Sequence, residues 1–521
     1  MSAGKVIARA TVVIAVINLV SRLLGFVREM VIAEQFGATG VTDAYLVAYT
    51  IPYVLMSVLG MALATVVVPI FSEYESRGQR KEAWQLFGTV TNLTALIFII
   101  ITIIGIFSTP LLVKLLAPGI KDRETVLLAQ ELTRLMFPIL VFMGLSTLFN
   151  GLLNANNIFA VPSFSVVASN IVVIISTLTL GEIMGVYGLA IGTVLGMVVA
   201  ALIQLPALYR SGFRFRFSLD WSHPDVRKVM SLMLPVALGV SVNQAYIIVD
   251  RILASGLAAG SISALNFSNR LILLPIGLFV MAIGTAFYPT LTRQAVDPSS
   301  GDMAATLRRA FRIVVMMSVP SAVGLMVLRY PIIKLLFERG EFDARATEMT
   351  AYALLFFSIG LVGQAANVIL TRGFYALQDT RTPVRLTVVT IIINLVLSLI
   401  LIGPLQHGGL ALANSIAALA NTAMLSWFLS RRVKNLWNWK MVRFTLQVLL
   451  ASGIMALAVR FVNIYAHTAL AGYGTLGLAA QVTVSVLAGA GVFVLAAVVL
   501  RIEEAFLIFS YGKRFLASRT R

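Results

Sequence analysis

Apolar runs of about twenty residues recur along this whole chain. That is the length an α-helix needs to cross the ~30 Å hydrocarbon core of a bilayer. No other feature limits the fold as strongly, because lipid offers no partner to a backbone N–H or C=O and a run of this length must pair its own. Leu476–Leu500 is one such run, and Val448–Val459 with its flanks is another. Hydrophobic residues make up 59% of the 521 residues and charged ones 12%, against about 25% charged in a soluble domain. The chain reads as an all-α polytopic membrane protein. Fourteen spans are expected near 10–34, 43–71, 85–107, 126–153, 158–181, 185–209, 229–254, 261–289, 311–328, 346–371, 384–403, 408–430, 444–463 and 476–500. The first is too long for a removable signal and carries Arg22, Arg28 and Glu29, so it is expected to stay in the membrane.

The cations set the expected orientation. With the N-terminus inside, outer loops hold only seven of the 40 Lys and Arg: Lys114, Lys121, Arg123, Arg329, Lys334, Arg339 and Arg345. Most of the rest fall on inner segments, such as Arg210, Arg214, Arg216, Arg227 and Lys228, or Arg431, Arg432, Lys434, Lys440 and Arg443. The basic tail adds Arg501, Lys513, Arg514, Arg519 and Arg521. This asymmetry places both termini in the cytoplasm. It also explains the net charge of +18 through topology and anionic lipid, without nucleic acid.

The chain repeats itself at an offset of about 220 residues. Gly40 and Ala44 recur as Gly260 and Ala264, and Met61, Ala62, Thr65 and Pro69 as Met281, Ala282, Thr285 and Pro289. Gly188-Leu189-Ala190 recurs as Gly409-Leu410-Ala411. Each copy holds six spans, so the two enter from the same side and form parallel repeats. The expected organisation is an N-lobe at 1–215 with spans one to six and a C-lobe at 216–435 with spans seven to twelve. Residues 436–521 then hold spans thirteen and fourteen and the basic cytoplasmic tail. Gly188, Gly192 and Gly196 line one helix face, where small residues let helix backbones approach closely.

Candidate chemistry lies in charges within spans. Arg22 and Arg28 in span one each cost about 2.5–3.5 kcal/mol on insertion scales, so each needs a wet cavity or a partner. Guanidinium forks suit phosphate oxygens, which makes both candidates for an anion site, with Glu29 beside them. Asp43 opens span two, either as a helix cap or as a cavity residue. Arg270 in span eight is the repeat counterpart of Thr50, and would join Arg22 and Arg28 in a cationic cavity between the lobes. Asp250 either pairs with Arg251 or binds a coupling cation. Glu131 and Arg134 have the spacing of an ion pair. In Asp379-Thr380-Arg381-Thr382-Pro383, Thr382 is the expected cap and Pro383 the first helical residue. Cysteine is absent and His223, His407 and His467 are scattered, so no metal site is expected. No Gly-rich phosphate loop with its lysine and no paired carboxylates occur, so an enzyme is not expected.

The stretches SRLLGFVRE at 21–29, TDAYLVAYTIP at 42–52, ALATVVVPIFSEY at 62–74, LLAPGI at 115–120, GFYALQDTRTPV at 373–384 and GPLQHGGLALA at 403–413 resemble the lipid II flippase family, known as MurJ or MviN. That family lies within the superfamily of multidrug, oligosaccharidyl-lipid and polysaccharide exporters. The resemblance runs from about Ser21 to past Arg432. It implies movement of undecaprenyl-pyrophosphate-linked disaccharide-pentapeptide from the inner to the outer leaflet of the bacterial cytoplasmic membrane for cell-wall biogenesis. It places cavity arginines at Arg22, Arg28 and Arg270 and an acid at Asp43, and puts Glu29 where an aspartate is common. Asp250 resembles an acid of a sodium site. No cofactor is implied beyond a coupling cation, sodium or proton. Implied partners are the glycolipid, membrane lipids and the cell-wall synthesis machinery. Spans thirteen and fourteen would form a groove for the polyprenyl tail. One departure is Met56, where many members carry an arginine. The competing readings are a flippase for another polyprenyl-linked saccharide, a cation-coupled multidrug exporter with twelve spans and an acidic cavity, and a non-transporting scaffold of wall assembly.

Overall fold

The computed structural model describes residues 3–215 and 224–504. Arg216 and the tail cations Lys513, Arg514, Arg519 and Arg521 lie outside the described residues, as does His223. Among the described residues there is no strand.

The chain forms two compact units, Met1–Ser263 with Arg339–Phe342, and Ala264–Glu338 with Asp343–Arg521. The first contains α1 (Ala3–Phe36), α2 (Gly40–Ser76), α3 (Arg80–Leu116), α4 (Arg123–Met136) and α5 (Ile139–Ala155). It continues with α6 (Ala160–Met184), α7 (Val186–Leu202), α8 (Leu205–Arg210) and α9 (Pro224–Ala254). In this unit α6 packs on both α1 and α7, and α2 packs on α4, α5 and α9. The α6–α7 seam depends on the glycine stripe. A Cβ on Gly188 would stand 2.3 Å from the Leu180 carbonyl, and one on Gly192 would stand 2.3 Å from Ser176 Cβ. At one end Phe71 meets Trp84 and Phe87 edge-on, with centroids 4.9 and 5.0 Å apart, and Trp84 meets Phe213 at 5.9 Å. Such pairs add about 0.5–1.5 kcal/mol each beyond burial.

The second unit takes up α10 (Ser261–Pro275) from Ala264 onward. It then holds α11 (Met281–Val296), α12 (Met303–Val327), α13 (Arg329–Phe337), α14 (Ala344–Ala376), α15 (Arg381–Arg432), α16 (Trp439–Leu470) and α17 (Gly474–Val499). A π turn at Ile276–Val280 joins α10 to α11. Close approach recurs here: a Cβ on Gly409 would lie 2.2 Å from the Leu401 carbonyl oxygen, and one on Gly360 would lie 2.6 Å from Ser415.

Among the described residues, nine helical stretches are long and apolar enough to cross a membrane, or ten if the α4–α5 pair, bent by 42°, is one span. Two of these stretches turn back within themselves. In α15 the backbone leaves helical geometry at Gln406, with φ 50° and ψ −132°. Between α16 and α17 it turns at Ala471–Tyr473. Large apolar side chains face outward, among them Phe107 and Ile183, each 81% exposed. A solvent-facing surface of that kind would aggregate, whereas a lipid-facing one is satisfied.

Helix starts carry the expected oxygen acceptors. Asp122, Asp343 and Asn438 cap α4, α14 and α16 by accepting from Thr125 N at 2.9 Å, Ala346 N at 2.7 Å and Met441 N at 3.1 Å. Two local expectations are corrected. Asp379, and not Thr382, is the acceptor at the start of α15: it takes Thr382 N at 3.0 Å and Thr382 Oγ1 at 2.7 Å. The carboxylate reaches the orphan amide from outside the helix, which a hydroxyl already inside the first turn cannot do. Glu131 takes its hydrogen bond from the Tyr187 hydroxyl on α7, so its partner comes from another helix and not from Arg134 on its own.

Candidate functional site

Two charges of the first unit, Arg28 and Glu29, lie where α1 packs on α6. Arg28 is held from two sides. Its Nη2 donates to Glu29 Oε1 at 2.8 Å and its Nη1 to Asn170 Oδ1 at 3.1 Å. Glu29 is buried, while the Arg28 side chain keeps 24% of its surface exposed. Asn170 on α6 also donates to the Ser21 carbonyl at 3.4 Å. It fits there because α1 presents Gly25, whose Cβ position is 3.8 Å from Asn170 Nδ2. The small residue thus opens the notch into which the amide docks. An arginine fixed by an ion pair and an amide loses less freedom when it grips an anion than a loose one would. Arg22, two turns earlier on α1, is exposed. About 9 Å of helix rise separates the two arginines.

A ladder of tyrosines flanks this pair. Tyr45, Tyr49 and Tyr53 recur every fourth residue on α2 and stack at 6.4 and 5.6 Å. Tyr45 and Tyr49 lie within electrostatic range of Arg28, and the Tyr45 hydroxyl meets Thr193 Oγ1 at 3.0 Å. Neither Asn170 nor the ladder was singled out from sequence. Both left a signal: an asparagine in mid-span and three tyrosines at helical spacing.

Asp43 sits elsewhere in the first unit and is only 5% exposed. Its Oδ2 accepts from Gly260 N at 2.7 Å, and its Oδ1 from Ser263 N at 2.8 Å and from Ser263 Oγ. It is therefore a cap, but of α10 and not of α2. Gly260 cannot be replaced there: its φ is +91° and a Cβ would lie 2.0 Å from the Ala38 carbonyl oxygen. Arg251 donates through Nε to Thr50 Oγ1 on α2 at 3.2 Å, so it reaches across to a neighbouring helix. Asp250 beside it has its Oδ1 shielded, and the Tyr246 hydroxyl, one turn earlier on α9, lies against its carboxylate. Arg270 belongs to the second unit, half-buried on α10. Met56 is 4% exposed, in an apolar cluster with Phe98 and Leu140. Its Sδ and Cε fold over Gly60, where a Cβ would lie 1.7 Å from Cε. The side chain at this position thus packs into the helix bundle.

Among the described residues no group of three His, Cys, Asp or Glu could hold a metal. The arrangement suits holding an anionic group at Arg28 within a membrane helix, not bond-making chemistry.

Comparison with known proteins gives a consistent result. Residues 32–494 match the family described as Lipid II flippase MurJ. A probable lipid II flippase MurJ of Vibrio cholerae serotype O1 is 34% identical over 436 residues, which is 82% of this chain and 83% of that one. The lipid II flippase MurJ of Burkholderia cenocepacia is 32% identical over 461 residues, covering 86% and 88%. The solved structure of a lipid II flippase MurJ in an inward closed conformation superposes with a TM-score of 0.79 at 25% identity, covering 94% of this chain and 99% of that one. An inward-facing multidrug transporter of the MATE family shares the fold, with a TM-score of 0.67 at 16% identity over 82% and 98%. With a family match across most of its length, this multi-pass membrane protein belongs to the MurJ lipid II flippase family, a family of transporters and not of enzymes.

Proposed function

We propose that this protein carries lipid II, the undecaprenyl-pyrophosphate-linked disaccharide-pentapeptide, from the inner to the outer leaflet of the bacterial cytoplasmic membrane by alternating access. The observation that carries this reading is Arg28. It is a guanidinium in a membrane helix, fixed by Glu29 and Asn170 at 2.8 and 3.1 Å, with part of its surface still open. Such a fork matches phosphate oxygens two at a time, which a pyrophosphate offers. Arg22 supplies a second cation on the same helix; within the second unit, Arg270 on α10 is a further proposed anion contact. Glu29 acts through Arg28, because a carboxylate repels an anionic headgroup. Asp43 acts by holding the start of α10. Asp250 is the proposed contact for a coupling cation, sodium or proton, supported by its shielded carboxylate Oδ1 beside Tyr246 on α9. Membrane potential supplies about 2.3 kcal/mol per charge for each 100 mV crossed.

The test is complementation in bacteria depleted of their own lipid II flippase, with lipid II accessibility at the outer face as the readout. The wild-type chain restores accessibility, Arg28→Ala restores none, and Arg28→Lys restores part, because a lysine lacks the fork. If a correctly inserted wild type leaves lipid II inaccessible but restores export of another polyprenyl-linked saccharide, the cargo assignment is wrong.

A further inference from the structure

The first unit contains a cavity of about 390 Å³ away from Arg28, walled by α3, α5 and the α7–α8 segment. Its wall residues recur at helical spacing, with Ala95 and Ile99 on α3, Phe149 on α5, and Ala201 and Tyr209 on the third wall. Ile99 is 44% and Tyr209 42% exposed, and Phe215 at the mouth is 58% exposed, so the cavity opens sideways onto the lipid-facing surface. Along α3 its lining runs from Thr91 to Ile99, eight residues or roughly 12 Å at 1.5 Å per residue. One leaflet's share of the core is about 15 Å. The slot therefore has the depth of a single lipid chain whose head lies near Phe213.

The head end is strongly basic. Arg214 Nη1 donates to the Tyr209 and Phe213 carbonyls at 3.0 and 3.1 Å. Arg80 Nη2 donates to the Ser211 carbonyl at 3.1 Å and to Asn156 Oδ1 at 3.2 Å, and its Nη1 lies 3.9 Å from Glu75 Oε1, with the side chain 54% exposed. Arg210 is exposed on the same turn. Backbone contacts thus pin two guanidiniums at the mouth, and a third adjoins them. Basic pockets beside apolar clefts of this kind recognise anionic lipid heads.

We propose that this cleft is a binding site for an anionic phospholipid, one acyl chain lying between α3, α5 and α7 and its phosphodiester head on Arg80, Arg210 and Arg214. The occupant is a resident membrane lipid and not the transported cargo. An undecaprenyl chain, several times longer than an acyl chain, overruns the slot.

The experiment uses the full chain in nanodiscs containing phosphatidylglycerol or phosphatidylcholine with a photoactivatable diazirine on one acyl chain. Crosslinked peptides are mapped by mass spectrometry. Phosphatidylglycerol should label segments 91–99 and 201–215 several-fold more than phosphatidylcholine does. Ala95→Trp fills the slot, and Leu202→Trp does so from a lipid-exposed position that tolerates bulk. Each should remove most labelling of these segments and leave labelling of α16 and α17 unchanged. The Arg210→Gln, Arg214→Gln pair should equalise the two lipids. Equal labelling by both lipids in the wild type, or labelling unaffected by either tryptophan in a folded variant, overturns the proposal. So does preferential labelling by a photoactive polyprenyl phosphate, which would make the slot a cargo-tail site.

Discussion

Replacing Asp43 removes a buried carboxylate that accepts three hydrogen bonds, and the cost can be worked out bond by bond. Two buried backbone amides, of Gly260 and Ser263, point at its oxygens at 2.7 and 2.8 Å. An unsatisfied buried donor costs about 1–3 kcal/mol. Asp43→Ala orphans both and should weaken this end of α10 by about 4 kcal/mol. Asp43→Asn keeps one carbonyl acceptor and should cost about 2 kcal/mol. At 1.4 kcal/mol per factor of ten, local opening rises about 10³-fold for alanine and about 30-fold for asparagine. Hydrogen exchange reads this directly, since amide protection reports the free energy of local opening. The measurement is made on the purified protein in nanodiscs, with amides 258–265 as reporters and α16 amides as the internal reference. The graded order of wild type, asparagine and alanine is the signature of a shared cap. If the Gly260 and Ser263 amides of Asp43→Ala exchange within about threefold of wild type, the carboxylate is not what holds them, and the reasoning fails.

Four further outcomes follow. Asn170→Ala deletes one charge-assisted hydrogen bond to Arg28, worth about 1.5–3 kcal/mol, and should weaken binding of a pyrophosphate lipid by roughly tenfold or more without lowering the melting temperature as far as a core truncation. Gly192→Leu drives a side chain into Ser176, whose Cβ would stand 2.3 Å from the new branch point, and at about 3 kcal/mol of overpacking should lower thermal stability in detergent by several degrees. Met56→Arg puts a charge into the cluster with Phe98 and Leu140 and should reduce the yield of folded protein with no gain in lipid affinity, checked by size-exclusion chromatography and lipid binding. Asp379 is held below the ordinary carboxylate range, chiefly by the Thr382 amide. Its contribution is therefore complete at neutral pH and lost only as pH falls through that depressed value, so Thr382 amide protection should stay level from pH 7 to 5 and drop in stronger acid.

The features legible in sequence were those set by one helix and its immediate spacing. Apolar length gave away the all-α membrane class, and the small-residue stripe at Gly188, Gly192 and Gly196 announced a tight seam before its partner, α6, was known. The cost of charge in lipid marked Arg22 and Arg28. What stayed hidden were partners supplied by distant segments. Asn170 reaches Arg28 across 142 residues, and Asp43 caps a helix through an amide 217 residues away. No local pattern at residue 43 says that the amides it serves belong to another element. Met56 shows the same limit from the other direction. A position in a family pattern says which residue type is present, but not whether the side chain lies against solvent or, as here, against Phe98 and Leu140.

The π turn at Ile276–Val280 changes which way the residues after it point. A π turn is wound more loosely than an α-helix, with hydrogen bonds spanning five residues and not four. Every side chain after it is therefore rotated about the helix axis relative to an uninterrupted helix. In the first repeat α2 runs unbroken from Gly40 to Ser76, yet the matched residues on either side of the turn keep one offset of 220, from Gly40 and Gly260 to Pro69 and Pro289. Residues that correspond in sequence thus point in different directions before and after the turn. The sequence correspondence between α2 and α10–α11 therefore does not extend to side-chain direction, because this local unwinding breaks it.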